Sequence, residues 1–228
     1  MTVTLGEEIM LLTLDDTSGA AKGESSARWG VTGGILLELV MADRVTVTGG
    51  RIEAVDPAPT GDALLDGRLE RLARWAGKPA GGGRKPSRGR KAADWLTRDH
   101  AHGVQDVLDR LCARGLVTEE KHRALGLFPV RRYPEADGSV ERELRDRLAS
   151  VVVHGAEPDA RTRALTALLH AAGLHRQAFP DLPKKRVEPR MAAIAEGQWA
   201  GDSVREAILT LQTVMTAVTV VTVVTATS

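Results

Sequence analysis

The sequence has very few aromatic residues and only one cysteine. Among 228 residues there are four Trp, two Phe and one Tyr, so Leu, Val, Ile and Ala must fill most of the interior, as in helical proteins. The lone Cys112 excludes an internal disulfide and a cysteine-based zinc site, and such cysteine usage is typical of a reducing compartment. We therefore expect a cytoplasmic protein.

Motifs for catalysis and cofactor binding are missing as well. The stretch from Gly83 to Gly89 lacks the spacing and the closing Lys-Ser/Thr of a phosphate loop, and no dinucleotide-binding glycine motif occurs. His170 and His175 are five positions apart, which places them about 140° apart on a helix and does not suit a zinc pair. The sequence therefore predicts no enzyme, no cofactor and no metal site.

Apolar residues recur at helical spacing through most of the chain. Leu65, Leu69 and Leu72 form one such stripe, which Gly77 closes. Alternating valines and threonines around Gly49-Gly50 predict a β-hairpin over 44–55. We expect helices near residues 5–14, 34–42, 62–76, 103–114, 141–153, 160–172 and 203–217.

Less regular segments complete the prediction. Thr118 and the two glutamates after it indicate the cap of a short helix, and residues 128–133 indicate a second hairpin or an extended arm. The fold class predicted is mainly α: a single globular helical domain over 1–228, in which a central helix bundle is ringed by amphipathic helices, with one or two β-hairpins at the edge.

The net charge of +1 hides an uneven distribution. Between Arg74 and Arg98 there are eight basic residues and one acidic residue. Part of this stretch, residues 77–91, is rich in Gly and Pro and has no apolar periodicity, which predicts a flexible basic loop. Such a loop either contacts phosphate groups or is a solvated linker, and the charge run alone does not choose between them.

The C-terminal sequence is unusual because threonine recurs at every third position from Thr210 to Thr225. A three-residue period does not keep one face on a helix of 3.6 residues per turn, so no clean amphipathic surface results. We expect a packed terminal helix whose end, residues 219–228, frays. A membrane tail anchor is the less favoured interpretation, because the uncharged stretch is short and rich in threonine.

Five sequence blocks follow one another along the chain: Thr4-Leu-Gly-Glu-Glu-Ile-Met-Leu-Leu, Gly33-Gly-Ile-Leu-Leu-Glu-Leu, Pro59-Thr-Gly-Asp-Ala-Leu-Leu-Asp, Arg114-Gly-Leu-Val-Thr-Glu-Glu-Lys and Asp159-Ala-Arg-Thr-Arg-Ala-Leu. In this order they resemble the Golgi phosphoprotein 3 family, and the Ala-, Gly- and Arg-rich composition indicates a bacterial member. The resemblance implies one mostly helical domain and a non-enzymatic, peripheral membrane protein. Eukaryotic relatives are adaptors that bind phosphatidylinositol 4-phosphate and hold glycosyltransferases at the Golgi.

The resemblance also implies a head-group site, but its arginines are replaced in this chain. Thr32 stands where the family has an arginine before the Gly-Gly-Ile-Leu block, and Ala101 and Val104 stand where it has two arginines three positions apart. Guanidinium forks bind phosphomonoesters in a bidentate way, so their loss argues against specific recognition of that lipid. Diffuse attraction of anionic head groups to the basic stretch is the expected replacement.

We therefore expect binding of an anionic membrane lipid, phosphoinositide-like in chemistry, at the membrane periphery. A protein client and a homo-oligomer are further partners that the resemblance suggests. The residues predicted to bind head groups or phosphate are Trp29, Arg84, Lys85, Arg88, Arg90, Lys91, Arg98 and His102.

A nucleic-acid-binding protein is the alternative function. Residues 103–133, with a helix, a turn and a basic hairpin, resemble a winged helix in outline. Asp106 and Asp109 on that helix would repel a polyanion, so the sequence favours the membrane protein over the nucleic-acid binder.

Overall fold

The computed structural model describes residues 3–77, 90–124, 128–197, 199 and 202–226. Within these ranges, helices make up most of the chain and strands form only two small antiparallel sheets. The elements are α1 (Leu5–Thr13), α2 (Glu24–Met41), β1 (Val45–Thr48), β2 (Arg51–Val55), α3 (Ala63–Ala76), β3 (Arg90–Lys91), α4 (Ala92–Ala113), β4 (Glu120–Ala124), β5 (Phe128–Arg132), α5 (Ser139–Val152), α6 (Ala160–Ala171), α7 (His175–Ala178), α8 (Lys184–Glu196) and α9 (Asp202–Ala226).

Helix α2 is the centre of the fold, and the predicted mainly α, single-domain architecture is confirmed. It contacts α1, α3, α4, α6 and α9, and its apolar residues, from Val31 through Ile35 to Val40, are buried. A helix that is apolar on every side must be covered on every side. The remaining helices therefore pack around it.

Helix α2 begins ten residues earlier than the sequence analysis expected. Residues 24–33 are mostly small and lack apolar periodicity, but three glycines in the helix allow close packing. A Cβ added to Gly30, within this early segment, would lie 3.1 Å from Cγ2 of Ile9 in α1, and one added to Gly34 would lie 2.9 Å from the backbone nitrogen of Gly6 in α1. Close contact with α1 stabilises a helical start that periodicity does not reveal.

Helix α1 begins with the capping box predicted by the spacing of Thr4 and Glu7. The Thr4 hydroxyl accepts a hydrogen bond from the Glu7 amide at 3.2 Å, and the Glu7 carboxylate accepts one from the Thr4 amide at 2.7 Å. All of α1 is buried. The two reciprocal bonds satisfy amide groups that would otherwise be unpaired at a buried helix end.

The hairpin over 44–55 is confirmed: β1 and β2 pair antiparallel across Gly49 and Gly50, whose φ angles are 55° and 70°. The second hairpin also exists, since β4 pairs with β5. The short helix expected after Thr118 is wrong, because Glu120–Ala124 forms the first strand of that hairpin. Two glutamates after a threonine fit a helix cap, but pairing with β5 decides the conformation.

Helix α4 is longer than the sequence predicts, and helix α8 is absent from the sequence prediction. Helix α4 begins at Ala92 instead of near 103, because the buried Trp95, Leu96 and Asp99 extend its inner face. The charge of Asp99 hides that periodicity in the sequence. Helix α8 was not predicted, although Val187, Met191 and Ile194 are buried at helical spacing, since Pro189 inside it is typical of a helix break.

The basic segment and the C-terminus lie only partly within the described ranges. Of the predicted loop 77–91, residues 78–89 are outside them, whereas Gly77 ends α3 and Arg90–Lys91 form β3, paired with Arg51 and Ile52 of β2.

Helix α9 continues to Ala226, beyond the expected end near 217 and into the segment expected to fray. No Gly or Pro interrupts it. Among the described residues, no helix has both the length and the apolarity needed to cross a bilayer.

A glycine in the close contact between α1 and α2 and a glycine in open space on α3 should respond in opposite ways to replacement by alanine. We expect Gly34→Ala to lower the free energy of unfolding by about 1–3 kcal/mol, because the new methyl group meets backbone atoms that cannot rotate away. Gly67→Ala, in the exposed middle of α3 with open space around it, should instead raise it by about 0.5–1 kcal/mol. Urea denaturation measures both, and a stabilised Gly34 variant would contradict the close packing.

Candidate anion-binding site

Helices α3 and α4 each present one face to a shared cavity. On α3 this face consists of Arg71, Arg74 and Trp75, spaced i, i+3 and i+4. Such residues lie on one side of a helix. Asp62 fixes the start of α3, because its carboxylate accepts hydrogen bonds from the Leu64 and Leu65 amides.

Helix α4 supplies the opposite wall, and the two walls enclose about 740 Å³. This volume is within the range of about 300–1,000 Å³ that small-molecule sites occupy. We call it the arginine cavity. Its lining residues are Arg71, Arg74, Trp75, Arg90, Trp95, Arg98, Asp99 and His102.

Arg90 closes the cavity and is held in place from two sides. Its backbone lies in β3, opposite Ile52 of β2. Its guanidinium Nη1 donates a hydrogen bond of 2.6 Å to the carbonyl oxygen of Trp75, and its Cζ lies 4.5 Å from the centre of the Trp75 ring. The Trp75 ring in turn contacts Trp95 of α4, with ring centres 5.6 Å apart. The cation–π contact and the hydrogen bond therefore orient this arginine before any ligand arrives.

A buried ion pair joins α3 to α4 at one side of the cavity. Arg68 is 1% exposed and donates hydrogen bonds of 2.9 and 3.0 Å to the two carboxylate oxygens of Asp99, which is 2% exposed. Arg68 also pairs with Asp106. Burial raises the pKa of Asp99, while Arg68, Arg71 and His102 act in the opposite direction. The acidic residue that lines the cavity is thus already paired.

The remaining cavity cations are available to a ligand. In the part of the chain that the structure describes, Arg74, Arg90 and Arg98 form no ion pair with a carboxylate, and Arg74 and Arg98 are exposed. Arg71 lies 3.6 Å from Asp99 and is 41% exposed. Guanidinium groups from α3, β3 and α4 that face one space bind phosphate or carboxylate oxygens.

The structure brings together three of the residues predicted from the sequence. Arg90, Arg98 and His102 line the arginine cavity, and Lys91 is exposed beside it at the start of α4. Arg84, Lys85 and Arg88 lie outside the described residues.

Trp29 does not line this cavity. It lies on α2, and its ring stacks on His100 with ring centres 5.4 Å apart. A shallow pocket of about 340 Å³ adjoins it, lined by Ser25, Arg28, Trp29 and His100.

Sequence reasoning missed the α3 side of the cavity, Arg71 and Arg74. They fall inside the predicted helix 62–76 and lie three positions apart. That spacing places them on one helix face, but nothing in the sequence indicates that this face meets α4.

The positions that correspond to the family's head-group arginines line a different cavity. Ala101 and Val104 face a space of about 510 Å³, together with apolar residues of α1 and α2 and with Arg28, Arg131 and Arg132. On a helix, Arg98 and Ala101 are about 60° apart and Arg98 and Val104 about 120° apart, so the two cavities lie on adjacent strips of α4. Among the described residues, they share no lining residue.

Several charged residues of the motif blocks form ion pairs inside the fold. Glu7 pairs with Arg114 at 3.1 Å, and Glu38 pairs with Arg161 at 2.8 Å. Arg110 pairs with Asp62. Burial raises the pKa of Glu38, against the effect of Arg161. These blocks therefore hold α1, α2, α4 and α6 together and do not line the arginine cavity.

The winged-helix alternative receives little support from the geometry. The hairpin β4–β5 does follow α4, but α4 packs against α1, α2, α3 and α9. Its outer side between 103 and 113 carries the exposed Asp106 and Asp109, which would repel a nucleic acid. Within the described ranges, no group of three or more His, Cys, Asp or Glu residues is placed to hold a metal ion.

Comparison with protein families matches residues 5–211 to the family model described as Golgi phosphoprotein 3 (GPP34). Four of the five motif blocks lie wholly within the match, and so does all of the first block except Thr4. A search of curated proteins finds no match.

The buried ion pair predicts a large effect of one arginine and a small effect of its neighbour. Arg68→Met leaves the buried Asp99 carboxylate with only the longer contact to Arg71 at 3.6 Å, so we expect the free energy of unfolding to fall by about 3–5 kcal/mol. Arg71→Met, a matched change at an exposed position, should cost less than about 1 kcal/mol. Urea denaturation compares them, and equal losses would show that Arg68 does not fix α3 to α4.

Proposed function

The chain belongs to the Golgi phosphoprotein 3 family, and on that premise we propose that it is a non-catalytic, peripheral membrane protein that binds anionic lipid head groups. The observation that carries this proposal is the arginine cavity, where four guanidinium groups from α3, β3 and α4 face one solvent-accessible space. The single carboxylate in its lining, Asp99, is already paired with Arg68.

The sequence next to the arginine cavity supports the proposal that this side of the protein faces the membrane. The basic residues Arg84, Lys85, Arg88 and Lys91 occur in the segment that connects α3 to β3 and α4. A basic residue near an anionic membrane contributes about 1 kcal/mol of attraction, and this attraction declines with distance and with salt. Residues within one short segment would therefore act together with the cavity arginines.

The adaptor part of the proposal depends on family membership. A peripheral protein that binds head groups on one side leaves its other helices free to bind a protein client, as the family's adaptors do. Nucleic acid is a weaker candidate ligand, because the exposed side of α4 after the cavity carries Asp106 and Asp109.

Vesicle binding tests the proposal. We expect the protein to co-sediment with vesicles of phosphatidylcholine that contain phosphatidylserine and not with phosphatidylcholine alone, and to bind more weakly as salt rises. Replacing Arg84, Lys85 and Arg88 with serine should weaken binding on the order of a hundredfold, since three residues contribute about 1 kcal/mol each.

The matched control replaces Lys184, Lys185 and Arg186 with serine. These three basic residues begin α8, which packs against α6, so the total charge changes equally on another surface. The control should bind like the unmodified protein. Equal weakening in both variants, or tighter binding to duplex DNA than to vesicles in the same buffer, would contradict the proposal.

A further inference from the structure

We infer that the arginine cavity is a built site for a phosphomonoester dianion, separate from the cavity that the family's head-group positions line. A membrane lipid as the source of the ligand rests on the proposed function. The cavity site itself does not. Diffuse attraction, expected from the sequence, needs no cavity and distinguishes only the amount of negative charge.

The arrangement of the guanidinium groups supports a compact, doubly charged ligand. Arg71 and Arg74 come from α3, Arg98 comes from α4, and Arg90 comes from β3. Cations on separate walls surround one space, as needed to contact several oxygens of one phosphate. A phosphomonoester offers three terminal oxygens and nearly two negative charges at neutral pH. A phosphodiester offers two such oxygens and one charge.

The cavity is also organised before binding. Arg90 is fixed by the Trp75 ring and the Trp75 carbonyl oxygen. The Arg68–Asp99 pair holds α3 against α4 and engages the carboxylate that would otherwise compete with the ligand. A site whose donors are already oriented loses less conformational entropy on binding, and this favours one ligand geometry over diffuse contact.

The aromatic residues define which organic group could accompany the phosphate. One face of Trp75 carries Arg90, and Trp95 is buried against the core. One face of Trp75 is therefore occupied, and Trp95 offers no face to a ligand. The volume of about 740 Å³ exceeds what phosphate alone needs, so a phosphate that carries an organic group, such as glycerol phosphate or a sugar phosphate, fits.

The ligand chemistry has two sources, a lipid head group that ends in a phosphomonoester or a soluble polyol phosphate. Titration calorimetry with glycerol 3-phosphate and dimethyl phosphate tests the chemistry without membranes. Two vesicle preparations test the membrane source: one contains phosphatidic acid, a monoester, and the other phosphatidylglycerol, a diester. Their surface potentials are made equal. We expect at least tenfold tighter binding of the monoester in both experiments.

The decisive variant is Arg74→Gln with Arg98→Gln. Both side chains are exposed and form no ion pair within the described ranges, so the fold should be retained, as circular dichroism would verify. Lys185→Gln with Arg186→Gln, exposed on α8, is the control of equal charge. We expect the first variant to lose the tenfold preference and the control to keep it.

The outcomes separate this inference from the proposed function. Equal affinity for the monoester and the diester, or a preference that survives Arg74→Gln with Arg98→Gln, would overturn the cavity site even if anionic vesicles still bind. A preference for glycerol 3-phosphate without any vesicle binding would support the cavity site for a soluble phosphate and overturn the membrane function. A preference in both experiments supports a lipid head group as the ligand.

Discussion

The buried ion pair between Arg68 and Asp99 is the interaction on which the basic surface of this protein depends. It joins α3 to α4 where the exposed arginines of both helices face each other. Two charges that are 1% and 2% exposed are tolerated in an interior only as a hydrogen-bonded pair. Asp99 is paired with Arg68 and lies 3.6 Å from Arg71, so Arg74, Arg90 and Arg98 are left without a carboxylate partner within the described ranges. The same pair thus fixes the geometry of the cavity and preserves its positive charge.

The motifs that carry the family resemblance act mainly inside the fold. Glu7 and Glu38 are held by Arg114 and Arg161, and these pairs connect residues that are 107 and 123 positions apart in the chain. A carboxylate in such a position must keep its partner, because losing one charge leaves the other uncompensated. Family membership therefore transfers the architecture directly. It does not transfer the arginine cavity, whose lining residues lie outside the five blocks.

Helix α4 contributes residues to two separate cavities. Ala101 and Val104 line one of them, at the position of the family's head-group arginines and together with Arg28, Arg131 and Arg132. Arg98 and His102 line the arginine cavity. The two cavities share no lining residue within the described part of the chain, so the residue types at 101 and 104 do not determine the charge of the arginine cavity. The chemistry of phosphate recognition needs guanidinium groups at a common point, and it does not need any particular face of the helix.

The sequence by itself determined the local structure. The capping box at Thr4 and Glu7, the glycine turn at Gly49 and Gly50 and the apolar stripe of α3 depend on residues close together in the chain, and the structure confirms each. Tertiary structure decided which faces meet. Arg74 and Arg98 are 24 positions apart, and periodicity shows only that each lies on the outer face of its own helix. The start of α2 and the strand at Glu120 likewise depend on packing partners distant in sequence. The cavity exists because α3, β3 and α4 pack together, and no local pattern encodes that meeting.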